Sequence, residues 1–100
     1  HVIATIEIDP ARRSEYLDIL KGNVPLVQAE KGCRRYEPTL DVESGLPAQG
    51  GVRADVVTLL ETWESLAALR VHLQAPHMAA YREKVKGMVR QVRLQVLEPA

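Results

Sequence analysis

Val56-Val57-Thr58-Leu59-Leu60-Glu61-Thr62-Trp63-Glu64-Ser65 is a stretch in which an apolar extended run gives way to a helix start. Val56, Val57, Leu59 and Leu60 place apolar side chains on both faces of an extended chain, as in a strand covered on both sides. Glu61 and Trp63, two apart, share a face. Ser65 then opens a short helix carrying Leu66, Leu69 and Leu73. Pro76 breaks that helix and opens another, expected to bear Met78, Tyr81, Val85 and Met88. A last strand follows, in which Val92, Leu94 and Val96 alternate with Arg93 and Gln95.

Working outward toward the N-terminus, Asp41 to Val52 holds Gly45, Pro47, Gly50 and Gly51 and reads as a surface loop. Before it, a strand is expected from Cys33 to about Leu40. Val2, Ala4, Ile6 and Ile8 alternate with Ile3, Thr5 and Glu7, a strand of period two rich in β-branched residues. Asp9 is placed to cap a helix that begins at Pro10. Tyr16, Leu20, Val24 and Val27 recur along it at helical spacing. Pro25 interrupts that pattern, so a kink or restart is expected near Asn23 and Val24. Gly32 is placed to stop the helix.

The order is β-α-β-β-α-β with the second helix split in two. It predicts an α+β, ferredoxin-like domain spanning 1–100, an antiparallel sheet with helices on one face. Nothing in 100 residues remains to cover the other face. A second copy of the chain is the expected lid, giving a homodimer built as an α+β barrel.

Bulk chemistry narrows the function. The 13 basic and 13 acidic residues balance, and the basic pairs Arg12-Arg13 and Arg34-Arg35 each have a Glu nearby. No stripe follows a phosphate backbone, so nucleic acid is not an expected partner. No apolar run reaches the length of a membrane span, and the N-terminus lacks a signal-peptide pattern. The single Cys33 rules out an intrachain disulfide and fits a reducing compartment. A cytoplasmic protein with a small substrate is the expectation.

Three groups of residues then stand together: Glu30-x-Gly32-Cys33-x-x-Tyr36, Glu61-Thr62-Trp63-x-Ser65-x-x-Ala68-Leu69-x-x-His72, and Pro76-His77 followed by Tyr81. This string resembles the antibiotic biosynthesis monooxygenase domain, in particular its quinol monooxygenase-like members, over nearly the whole chain. The resemblance implies a dimeric α+β barrel with a small cavity between each sheet and its helices. It also implies oxidation of a quinol or polycyclic phenol by molecular oxygen, with no metal, flavin or haem as cofactor. Such chemistry needs the ring bound, a proton removed and the resulting anion stabilised. Haem-degrading relatives use an Asn on the first strand with a Trp and a helix His. Val2 to Ile8 holds no Asn, which weighs against that activity.

His72 has a side chain whose ordinary pKa suits proton abstraction near neutrality, and it borders the apolar face of its helix. His77 stands in the first turn of the next helix, where the helix dipole favours neutral imidazole. Either could instead be a hinge or surface residue. The proline between the two histidines breaks helical register, and no Cys or close carboxylate completes a site, so no metal is expected. Glu61 is a candidate proton partner or orienter for His, and Trp63 a stacking wall for an aromatic substrate. Tyr36 and Tyr81 could each place a hydroxyl in the cavity. Cys33 is expected to be a small apolar residue, and the charges from Arg82 to Lys86 a solvated helix face. Two other functions fit the same fold. One is a small-molecule-binding or stress-response dimer without turnover, its cavity filled by its own side chains. The other is an isomerase of a small polar metabolite, using Arg35 or Lys84 to meet a phosphate.

Overall fold

Period-two burial along the first strand decides which way the sheet faces. In β1 (Val2–Ile8), Val2, Ala4, Ile6 and Ile8 are buried while Ile3, Thr5 and Glu7 are not. The computed structural model describes residues 1–100. It continues with α1 (Arg13–Gln28), β2 (Cys33–Thr39), β3 (Val56–Trp63), α2 (Leu66–Leu73), α3 (Pro76–Val85) and β4 (Val89–Val96). The strands form one antiparallel sheet in the order β2-β3-β1-β4. This is the α+β, ferredoxin-like arrangement expected from the sequence.

Register carries the inward face across the sheet. Ala4 pairs with Leu59 and Leu94, and Glu61 pairs with Tyr36, so these side chains look toward the helices. Tyr16, Leu20 and Val27 of α1 pack onto that face, and Tyr16, Leu20, Ile8, Val27 and Val57 are fully buried. From Thr58 onward β3 alternates between buried and half-buried positions. It is therefore covered on one face, and only its start at Val56 and Val57 is buried on both.

Caps and breakers set the boundaries. Asp9 Oδ1 accepts from the Ala11 amide at 3.0 Å, but it caps a 3-10 turn over Pro10–Arg12 that leads into α1. The expected restart at Pro25 does not occur. Pro25 lies in the last turn of α1, and its missing N–H costs only one bond, to the carbonyl of exposed Lys21, which water can satisfy. Ser65 caps α2, its Oγ accepting from the Ala68 amide at 3.1 Å. Met88 is not on α3, which ends at Val85. The chain turns there, the Met88 amide bonding to the Val85 carbonyl at 2.8 Å, and β4 starts three residues earlier than its alternation suggested.

Gly32 is the backbone position that only glycine fits. Its φ is +86°, and a Cβ there would stand 2.7 Å from Ala68 Cβ on α2. The turn into β2 thus lies directly against α2, bringing Glu30 close to that helix.

The exposed apolar side chains of the sheet gather at one edge strand. The back of the sheet is mixed, with Thr5, Glu7, Thr58, Thr62, Arg93 and Gln95 around Ile3 and Leu60. On the helix side, Val92, Leu94 and Val96 of edge strand β4 are 53%, 45% and 46% exposed, because the helices stop short of that edge.

Candidate active site

An apolar cavity of about 490 Å³ opens between the sheet and α3. Ala4, Ile6 and Leu59 form its floor, Met78, Tyr81 and Val85 one wall, and Val92 and Leu94 of β4 the other. Its volume lies within the range of about 300–1,000 Å³ for small-molecule sites. Tyr36, Glu61 and His72 line its buried end, with exposures of 2%, 5% and 2%.

His72 is held on three sides. Its Nδ1 lies 2.7 Å from Glu30 Oε2. The Trp63 ring is 4.6 Å away, tilted by 34°, and the Tyr36 ring meets it edge-on at 5.6 Å. A carboxylate accepting from Nδ1–H leaves the Nε2 lone pair as the free nitrogen of neutral imidazole. Nε2 makes no bond within the protein, and no buried side-chain nitrogen or oxygen is left without a partner. His72 also lines the cavity, so its open nitrogen meets cavity space.

Glu30 also reaches His77, its Oε2 lying 3.1 Å from His77 Nε2. One carboxylate thus joins the two histidines, and the expectation that no carboxylate stood close is corrected. The reason is topological: Glu30 lies 42 and 47 positions away in the chain. Three donor atoms within 4.8 Å of one another could also ligate a divalent ion, as two imidazoles and a carboxylate do. His77 is more exposed than His72 and does not line the main cavity; it borders a separate hollow with Asp18 and Lys84.

Glu61 serves a different partner from the one expected. Its Oε1 accepts from the Trp63 indole at 2.9 Å, and it makes no hydrogen bond to His72. Burial pushes its carboxyl above the ordinary range, opposed by the indole bond and by His72. Trp63 is not a wall of the main cavity. It stands behind His72 and lines a second hollow with Val96 and Leu97, so its contact is with the imidazole.

The two cavity tyrosines differ. Tyr81 shares a 2.6 Å hydrogen bond with Tyr16, which occupies its hydroxyl. The Tyr36 hydroxyl has no protein partner and is not sealed in. Burial, aided by the Glu61 charge, holds it well above the usual phenol range, so it stays a hydrogen-bond donor. Cys33 is partly buried, and burial pushes its thiol up as well, which disfavours a reactive thiolate.

Arg82 and Lys86, expected to be purely solvated, border the open end of the cavity. Arg35 points to the back of the sheet and pairs with Glu37 at 2.7 Å, and Lys84 lies in the hollow beside His77. Neither reaches the main cavity.

A family model described as antibiotic biosynthesis monooxygenase matches residues 1–84. The chain belongs to the antibiotic biosynthesis monooxygenase family. It is 41% identical over 100 residues to YgiN of Escherichia coli K12, named a "Probable quinol monooxygenase", covering 98% of this chain and 95% of that protein. Among solved structures, Rv0793 of Mycobacterium tuberculosis superposes with a TM-score of 0.80 at 29% identity, over 99% of this chain and 92% of that one. PA3566 of Pseudomonas aeruginosa shares the fold at a TM-score of 0.81 and 22% identity, over 99% and 91% of the two chains.

Proposed function

We propose that this protein is a cofactor-independent monooxygenase that oxidises a quinol or polycyclic phenol with molecular oxygen. The observation that carries the reading is the open Nε2 of His72, backed by Glu30 and facing an apolar cavity that a flat ring can enter. Membership of the family and the likeness to YgiN support the same reaction class.

In this reading, Nε2 of His72 takes the phenolic proton, and Glu30 stabilises the imidazolium that forms. Tyr36 donates a hydrogen bond to the phenolate. Glu61, its carboxyl pushed up by burial, is a second proton carrier at the same end. Trp63 and Tyr36 hold the imidazole plane, and His77 passes the proton from Glu30 toward solvent. The electron-rich ring itself reduces oxygen. For a quinol, one oxygen atom enters the ring, the other leaves as water, and a hydroxyquinone results.

The cavity is open rather than filled, and both histidines bond to Glu30 rather than to backbone. These features favour turnover over a purely structural dimer. Reaction under isotopically heavy oxygen tests the class: one labelled atom in the organic product supports it, and label only in water or peroxide refutes it. We also propose that two copies of the chain form a homodimer. Sedimentation should then give twice the 11.1 kDa chain mass, and a clean monomer would remove the dimer from the account.

A further inference from the structure

Charge is sorted along the cavity. Glu61 and His72 stand at its buried end, whereas Arg82 and Lys86 border its open end. Four positions apart at the end of α3, the two cations lie on one helix face, the one that also carries Val85. Arg82 Nη2 donates to the Leu73 carbonyl at 2.6 Å, which ties the guanidinium to the end of α2 on the exposed rim of the cavity, with other N–H groups unused. Lys86 meets only Glu83, at 3.1 Å, with both side chains more than 70% exposed. Such a pair is weak and readily exchanged. Across the mouth, β4 offers Val89, Val92 and Leu94, with no carboxylate among them. The nearby cations of β4 are otherwise placed: Arg90 lies 3.7 Å from Asp9, and Arg93 is on the back of the sheet.

A helix C-terminus attracts cations for its own sake, which explains a basic residue there. It does not explain two cations beside an apolar cleft whose facing wall has no anion. We propose that the open end of the cavity is an anion subsite, and that the ligand is a flat aromatic ring bearing a carboxylate or similar acidic group. The ring fills the apolar body with its hydroxyl toward His72 and Tyr36, and the acidic group pairs with Arg82 and Lys86. The inference rests on the proposed use of this cavity for a phenolic ring, and it adds the charge of the substrate.

The test is a binding titration of the intact protein with 6-hydroxy-2-naphthoate and with 2-naphthol, followed by ligand fluorescence at low and high salt. The naphthoate is expected to bind about tenfold more tightly at low salt, the scale of one or two partly exposed charge pairs. That preference should shrink in high salt and in Lys86→Met, and vanish in Arg82→Met/Lys86→Met, with 2-naphthol affinity little changed. Lys86→Met leaves the Leu73 bond intact, so it reads the subsite even where the double variant folds poorly. Equal binding of the two compounds, or a preference that survives the double variant, overturns the subsite alone. No binding of either compound overturns the use of the cavity as well. Selective binding without oxygen uptake would keep the subsite and reject the oxygenase.

Discussion

Glu30→Gln separates a catalytic network from a structural one. The substitution keeps the shape of a side chain whose Oε2 lies 2.7 Å from His72 and 3.1 Å from His77, but removes its charge. A neutral amide can still accept from one imidazole, so the fold should lose little. What it cannot do is stabilise the imidazolium that forms as His72 takes the phenolic proton. Hydrogen bonds to charged groups contribute about 1.5–3 kcal/mol net, against about 1 for neutral pairs. The difference reappears in the barrier as about 1–2 kcal/mol, and the choice of tautomer on His72 is weakened too. At about 1.4 kcal/mol per factor of ten, kcat should fall roughly 5- to 30-fold, with KM for the ring nearly unchanged. The assay is oxygen uptake on a hydroquinone, corrected for autoxidation, beside a thermal melt. A variant that melts within a few degrees of the parent and turns over at the parental rate would refute the Glu30–His72 pairing as the base.

Three further outcomes follow from the same geometry. Gly32→Ala forces a side chain into a φ of +86° and against Ala68 Cβ at 2.7 Å; it should cost about 1–3 kcal/mol and lower Tm by several degrees in a calorimetric scan. Burial raises the Glu61 carboxyl in the folded state, so its stabilising share is complete below the unfolded pKa and is lost as pH rises through the folded one. Glu61→Gln, which still accepts from Trp63, should therefore be more stable than the parent at neutral pH, with the gap closing in acid; melts across pH 4 to 8 with the reverse trend would count against the buried carboxylate. Activity of the purified protein should persist after dialysis against a strong chelator, and loss restored by a single divalent metal would mean that Glu30, His72 and His77 act as ligands.

Much of the fold was legible because its signals are local. The alternation from Val2 to Ile8, the Ser65 cap and the Pro76 start each depend on a few neighbouring residues, and each stands where expected. Met88 misled because Tyr81, Val85 and Met88 keep a helical spacing past the point where the chain turns toward β4. Pro25 misled for the opposite reason, since in a last turn it breaks almost nothing. The site was half legible. His72, Tyr36, Tyr81 and Glu61 do meet at one cavity, but Glu30 had no role assigned, because only the fold of the Gly32 turn against α2 brings it to His72. Trp63 shares a face with Glu61, as the strand period requires, yet period says nothing of which neighbour stands in front of it. Here that neighbour is His72. Arg82 and Lys86 read as solvated because a charge at a cavity mouth and a charge in bulk water look alike in a sequence.

The most direct test of the central claim is the rate of oxygen uptake by His72→Ala on a hydroquinone that the parent oxidises, measured alongside its Tm. Turnover should fall to the autoxidation background in a protein that still folds. Turnover close to the parental rate would contradict this and remove His72 as the base.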